Sequence, residues 1–131
     1  MTMHTICFEP NSDDSRPLRE ALGRFATGVT VITTRTQDGK LEGLTANSFA
    51  AVSLDPPLVL WSLKKSAPSL NSFQNAGFFA VNVLAADQKD LSNHFARPHK
   101  DKFSDVHATE GHGGCPVLPG CLATFECSTE T

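Results

Sequence analysis

The chain has 131 residues, 40% hydrophobic and 19% charged, which is the length of one domain and a composition that excludes long disorder. Eleven basic and fourteen acidic residues give a net charge of −3, which disfavours a nucleic-acid-binding protein. No apolar run of about 18 residues predicts a membrane-spanning helix, and the N-terminus lacks the basic start and apolar stretch of a secretory signal. We therefore expect a cytoplasmic protein without membrane partners.

The residue patterns predict a flexible N-terminal arm, then one helix, then mainly strands. The arm covers residues 1–15, which are polar and irregular. A helix is predicted over 16–25, followed by a strand over 29–34, a turn at 37–39, strands over 41–48 and 49–54 with a bend at 46–47, and a turn at 55–57. The second half is predicted to have a strand over 58–63, a helix over 66–75, a strand over 78–84 and a helix from the cap Asp87 through Phe95. A long loop over 96–119, with room for one strand turn, then leads to a strand over 121–128.

About six strands and three short helices favour mostly antiparallel β-structure, in a sandwich or barrel, because the helices are too few to cover both faces of a parallel sheet. Neither nucleotide-binding glycine fingerprint occurs in the chain. The last strand alternates cleanly between two faces and has edges that need partners. We therefore expect an incomplete version of a longer domain, or a gap that another subunit covers.

A first candidate ligand site is residues 43–48 (GLTANS), which we call the polar segment. Its small residues let backbone N–H groups approach a ligand. Thr45, Asn47 and Ser48 add hydroxyl and amide groups that can serve a ring rich in donors and acceptors. An ordinary polar strand edge and turn is the alternative interpretation.

A second candidate is residues 62–69 (SLKKSAPS), which we call the lysine loop. Lys64 and Lys65 precede a serine at the predicted helix start, and such ammonium, hydroxyl and N–H groups suit an anion such as phosphate. A solvated lysine pair beside a capping serine is the alternative. The combination is more informative, because one buried strand separates the two segments.

Spacing disfavours a metal site among the histidines and cysteines of the C-terminal half. The set comprises His94, His99, His107, His112, Cys115, Cys121 and Cys127. It contains no Cys-x-x-Cys or His-Glu-x-x-His pattern, and without an export signal we expect the cysteines to be free thiols.

Tyrosine is absent, and no serine nucleophile motif occurs. Hydride transfer between two bound cofactors would tolerate so few acid–base groups.

Several segments of the chain resemble the flavin reductase family with the FMN-binding split-barrel fold, the reductase components of two-component flavin monooxygenases. They are LREALGRFATGVTVITT (18–34), GLTANSFAAVSLDPPLVLWSLKKSAPSL (43–70), GFFAVNVLAADQKDLSNHFA (77–96), DKF (101–103) and PVLPGCLATFEC (116–127). They occur in the family's order and spacing and cover nearly all of the chain after residue 16.

The resemblance implies a Greek-key split β-barrel with a few short helices over residues 16–131, and a homodimer with flavin near the subunit interface. It implies reduction of FMN or FAD by NADH or NADPH, and delivery of free reduced flavin to a partner oxygenase. The flavin-binding residues implied by matching position are Thr30, Thr45, Ala46, Asn47, Ser48, Ser62, Leu63, Lys64, Lys65, Ser66, Ser69 and Phe95. Phe95 would close over the pocket, whereas Trp61 is expected in the core.

The family pattern continues past the last residue of this chain with further strands, one of which carries a Gly-Asp-His segment associated with nicotinamide binding. A flavin-binding module without turnover is therefore the alternative to a flavin reductase. A metal-binding β-protein that uses His107, His112 and Cys115 is a third hypothesis.

Overall fold

Strands make up most of the regular structure in the computed structural model, which describes residues 29–54, 57–97 and 101–129. The strands are β1 (Thr30–Arg35), β2 (Leu41–Ala46), β3 (Ala50–Leu54), β4 (Pro57–Leu60), β5 (Phe78–Val83), β6 (Thr109–Glu110), β7 (Pro116–Val117) and β8 (Ala123–Ser128). The helices are α1 (Leu70–Asn75), α2 (Lys89–Ala96) and a 3-10 turn at His112–Gly114. The predicted arm and first helix, residues 1–25, lie outside the described residues.

The central sheet has four strands in the order β2-β1-β5-β8. The strands β3 and β4 form a separate pair, and β6 and β7 form another. Every pairing among the described strands is antiparallel, which confirms the predicted fold class. Thr30 is aligned with Ala46, so the start of β1 lies beside the end of β2.

The turn between β1 and β2 is where the glycine pattern predicted it. Gly39 has a φ of 89°, in the left-handed region that favours glycine. The turn closes through a 2.9 Å hydrogen bond from the N–H of Gly39 to the carbonyl of Thr36. It sets the register that pairs Arg35 with Leu41 and places the polar segment at the far end of β2.

Both faces of the central sheet are covered, because successive side chains of a strand face opposite sides. Ile32 of β1 belongs to one apolar cluster with Phe73 of α1. Its neighbour Val31 belongs to the other cluster with Phe95 of α2. The two helices therefore lie against opposite faces, and the run of β-branched residues in β1 is buried on both.

The helix α1 begins later than predicted, at Leu70 rather than Ser66. Two successive turns precede it, closed by hydrogen bonds from Ala67 N to Lys64 O at 3.0 Å and from Leu70 N to Ala67 O at 3.2 Å. Pro68 explains the delay, since proline disfavours helical backbone at the residue before it. Ser66 therefore lies in a turn.

The N-cap position of α2 is occupied by Gln88 and not by Asp87 as predicted, and Gln88 makes no side-chain capping hydrogen bond. The side chain of Gln88 accepts a hydrogen bond from Ala85 N at 2.7 Å and donates one to Pro119 O at 2.8 Å. These contacts to two other segments fix the chain at the helix entrance. A local capping rule could not include the contact with Pro119, which is 31 positions away.

Two loop predictions were wrong in detail. Pro57, assigned to a turn, is the first residue of β4, where its missing N–H is tolerated. The described part of the predicted loop 96–119 contains β6, β7 and the 3-10 turn. The strand predicted over 58–63 ends at Leu60, and the one over 121–128 begins at Ala123.

Candidate binding site

The polar segment is held in place by hydrogen bonds from several elements. The hydroxyl of Thr30, fully buried in β1, donates to the carbonyl of Ala46 at 2.6 Å. The hydroxyl of Thr45 donates to the carbonyl of Ser92 in α2, also at 2.6 Å. These hydroxyls are therefore engaged with backbone and fix the path of the segment. Asn47 is exposed, and its amide has no partner among the described residues.

The lysine loop joins the polar segment through one pair of serines. The hydroxyl of Ser48 accepts a hydrogen bond from Ser62 N at 2.9 Å and donates one to Ser62 O at 3.2 Å. This contact links the end of β2 to the chain just after β4. The structure thus brings together the two segments that the sequence indicated separately.

The lysine loop presents an exposed positive charge. Lys64, Lys65 and Ser66 are all exposed. Within the described part of the chain, neither lysine forms an ion pair. Two ammonium groups beside a hydroxyl are a suitable donor set for a phosphate.

The helix start that was predicted at Ser66 as part of this anion site lies later in the chain, and its contribution to anion binding stays a prediction. The helix α1 has only six residues, and Ser69 at its N-cap makes no side-chain capping hydrogen bond. Any anion binding by the loop therefore depends on Lys64, Lys65, Ser66 and local N–H groups.

Other predicted site residues are core residues. Phe95 is fully buried, and its ring lies against that of Phe103 with centroids 5.1 Å apart. Its ring therefore packs in the second apolar cluster, and its predicted contact with flavin stays a prediction. Ala46 is also buried, and Leu63 packs partly buried against the first apolar cluster. Trp61 packs against Phe73 at 5.0 Å between ring centroids, which confirms its predicted core position.

A cavity of about 320 Å³ lies beyond the opposite end of β1. Its lining residues are Thr36, Gln37, Asp38, Asn71, Ser72, Asn75 and Ala76. None of the predicted binding residues lines it. The candidate site formed by the polar segment and the lysine loop is therefore separate from this cavity.

The described cysteines are free thiols with little reactivity at neutral pH. Burial raises the pKa of Cys121 to about 11 and that of Cys127 to about 12, and it also raises the pKa of Cys115. Because the thiolate is the nucleophile, these side chains are packing residues. Among the described residues, no group of three His, Cys, Asp or Glu side chains could hold a metal ion.

Sequence reasoning missed a lysine that contacts the strand leading into the site. The ammonium of Lys102 donates to the carbonyl of Gly43 in β2 and to the carbonyl of Phe95 in α2, both at 2.9 Å. Lys102 lies in the DKF match, but 59 positions separate it from Gly43. Only the fold reveals the contact.

Across the described ranges, no helix has the length and apolar character needed to cross a membrane.

Comparison with protein families gives a match to the flavin reductase like domain over residues 22–131. That match includes both segments of the candidate site.

Two relatives are similar over most of this chain. It is 51% identical over 120 residues to the FMN reductase (NADH) SmoA of Agrobacterium fabrum, covering 92% of this chain and 68% of the relative. It is 48% identical over 114 residues to the reductase component of the flavin-dependent trigonelline monooxygenase of Acinetobacter baylyi, covering 87% and 37%. The chain spans less than two thirds of the length of most curated relatives that it matches.

A solved structure shares the fold. The NADH:FAD oxidoreductase SgcE6 of Streptomyces globisporus, in complex with NAD and FAD fragments, superposes with a TM-score of 0.75 at 38% identity. The match covers 95% of this chain and 74% of that one. The split-barrel fold class expected from the sequence is thereby confirmed.

Proposed function

The chain belongs to the flavin reductase like domain family, and we propose that it is an NAD(P)H-dependent flavin reductase that binds FMN or FAD. SmoA is an FMN reductase (NADH), and SgcE6 was solved with NAD and FAD fragments. The structural observation that carries the proposal is the hydrogen-bonded pair Ser48 and Ser62, which joins a polar surface to an exposed lysine pair. A flavin mononucleotide needs both surfaces side by side.

Within this proposal, the lysine loop holds the flavin phosphate. Lys64, Lys65 and Ser66 are exposed and can all turn toward one anion. Ser62 and Ser69 lie at the two ends of the loop, and the turn between Lys64 and Ala67 gives it a defined shape. Charge-assisted hydrogen bonds from this set supply much of the affinity.

The polar segment contacts the ring and the ribityl chain. Asn47 offers an exposed amide, which can donate and accept hydrogen bonds at once. The hydroxyls of Thr30, Thr45 and Ser48 hold the backbone on either side of it. Backbone held in this way presents its polar groups to a ligand without a further ordering cost.

The chemistry requires positioning more than acid–base catalysis by the chain. When bound, flavin supplies the acceptor for a hydride from NAD(P)H. Residues 43–48 and 62–69 contain no carboxylate, histidine or cysteine. The chain therefore acts by holding two bound molecules in a productive orientation, which can itself account for several kcal/mol of a barrier.

We also propose that the protein is a cytoplasmic homodimer that supplies reduced flavin to a separate oxygenase. The reductase component from A. baylyi, named for such a monooxygenase, supports the oxygenase partner. Val52 and Leu60, on the β3–β4 pair, are 55% and 48% exposed. Apolar side chains at such positions are suited to contact with a second subunit.

The test combines turnover with a selective loss of phosphate binding. Purified protein should oxidise NADH or NADPH only when FMN or FAD is present. The double variant Lys65→Ala/Ser66→Ala should weaken FMN binding at least about tenfold, because each charge-assisted bond contributes about 1.5–3 kcal/mol. Its stability should change by no more than about 0.5 kcal/mol, since both residues are exposed.

Riboflavin, which lacks the phosphate, provides an internal control. Its affinity should be equal in the wild type and the double variant. Lys89→Ala, which removes an exposed charge at the start of α2, should leave FMN affinity unchanged. Equal weakening of FMN and riboflavin, or no weakening of either, would refute the phosphate assignment. Flavin binding without any NAD(P)H oxidation would refute the reductase and leave a binding module.

A further inference from the structure

The helix α2 is fastened to β2 at two successive positions on the same face of the strand. At Gly43, the ammonium of Lys102 bridges the strand carbonyl to the carbonyl of Phe95, with both contacts at 2.9 Å. Two residues along the strand, the hydroxyl of Thr45 reaches the carbonyl of Ser92 at 2.6 Å. Side chains two apart in a strand face the same side, and a Cβ at Gly43, like the hydroxyl of Thr45, would face α2. The Lys102 contact holds the backbone carbonyl of this same part of the strand.

The Lys102 contact suits the chemistry of a helix end. The carbonyl of Phe95 lies in the last turn of α2, where carbonyls have no partner within the helix. A cation there satisfies a carbonyl and interacts favourably with the helix dipole. One ammonium with three donors can bond both this carbonyl and that of Gly43, whereas an apolar side chain can bond neither.

The surroundings keep this ammonium in place. Lys102 is partly buried, and this burial lowers the pKa of its ammonium, while the carboxylate of Glu42 in β2 opposes the shift and favours the charged form. The imidazole of His94 lies 2.6 Å from the carbonyl of Lys102 and ties the same backbone to α2. The lysine is therefore held between the helix and the strand by several contacts.

We propose that Lys102 is a positioning residue of the flavin site: by clamping α2 to β2 at Gly43, it fixes the path of the polar segment that follows. The proposal rests on the proposed function. Lys102 itself need not touch the ligand. Without the Lys102 contacts, the hydroxyl of Thr45 makes the remaining hydrogen bond between β2 and α2 among the described residues. The segment 45–48 therefore becomes less ordered, and flavin affinity falls.

The central variant is Lys102→Met, which keeps the unbranched stem and removes all donors. We expect the FMN dissociation constant to rise about 5- to 20-fold, while kcat at saturating flavin stays within about twofold of the wild type. Lys102→Arg, which restores a cationic donor, should recover at least half of the lost affinity on a logarithmic scale. Lys102→Gln provides a milder variant if the methionine variant folds poorly.

Two control variants separate positioning from general loss of stability. Lys89→Met makes the same chemical change at an exposed position of α2 and should leave FMN binding unchanged. Val117→Ala removes apolar contacts in the β6–β7 pair, which none of the clamp's hydrogen bonds touches. It should lower the unfolding temperature without changing FMN affinity.

Hydrogen exchange without flavin provides a readout that does not depend on the proposed function. In Lys102→Met, amides of residues 44–48 should exchange at least about tenfold faster, and in Val117→Ala they should not. Unchanged exchange in this segment, or an affinity loss in Val117→Ala equal to that in Lys102→Met, overturns the positioning role. Faster exchange in a protein whose wild type binds no flavin supports the clamp and refutes the proposed function.

Discussion

A methyl group added at Gly43 would disturb the packing of α2 on β2. A Cβ at this position would lie 2.7 Å from Cε1 and 2.9 Å from Cδ1 of Phe95, and 3.0 Å from the Cζ of Phe103. The Phe95 ring is fully buried and cannot turn into solvent. Overpacking of this kind costs about 1–3 kcal/mol. Alanine also restricts the unfolded chain, which offsets about 0.4–1 kcal/mol of that cost.

We therefore expect Gly43→Ala to lower the free energy of unfolding by about 1–2 kcal/mol. Urea unfolding can be followed by the fluorescence of Trp61, the one tryptophan of the chain. With a slope of about 1–3 kcal/mol per molar, the midpoint should fall by about 0.3–2 M.

Gly77→Ala is the matched control, because nothing lies within 4 Å of its added Cβ. It should leave the midpoint unchanged or raise it slightly. If Gly43→Ala were as stable as Gly77→Ala, α2 would not pack on β2 as closely as described. The clamp at Lys102 would then lose its geometric basis.

Two further predictions concern buried polar groups. Asn82→Leu should destabilise the protein by about 2–4 kcal/mol in the same urea assay. The fully buried Asn82 amide donates to Val31 O at 3.0 Å and accepts from Leu118 N at 3.1 Å. A loss below about 1 kcal/mol would contradict this network. Burial raises the pKa of Cys121 to about 11 and that of Cys127 to about 12, whereas the pKa of a thiol in the unfolded chain is 9.0. The folded state therefore binds more protons than the unfolded state above pH 9. The free energy of unfolding should therefore fall as the pH rises from 9 to 11. The double variant Cys121→Ala/Cys127→Ala should show a smaller fall. An equal fall in the wild type and the variant would contradict the burial of these thiols.

The sequence was informative where local chemistry determines local structure. The β-branched run in β1 has few conformations other than a strand, and it proved buried on both faces. Gly39 provides the left-handed conformation that the β1–β2 turn requires. The polar character of residues 43–48 and 62–69 was sufficient to select them as candidates.

Long-range contacts account for the features that sequence reasoning did not predict. Gln88 displaced Asp87 at the start of α2 because its amide also bonds Pro119. Phe95 became a core residue because Gly43 and Phe103 enclose its ring. No residue pattern near these positions encodes such partners, since they are brought together only when α2 packs on the sheet.

Sequence reasoning missed Lys102 for the same reason. Its two acceptors lie 59 and 7 positions away in sequence, and only the packed structure brings both carbonyls to one ammonium. A lysine in a loop is by default a solvated side chain. The DKF match marked the segment without indicating what it contacts.

Anaerobic mixing of the wild-type protein with stoichiometric FMN and excess NADH tests the central claim most directly. The reductase account predicts that FMN first binds saturably, and that its visible absorption is then lost at about 1 s⁻¹ or faster, with one NADH oxidised per flavin. Lys65→Ala/Ser66→Ala should show this loss only at higher FMN concentration. Flavin that remains oxidised in the wild type, or bleaching that is equally fast without the protein, would contradict the account.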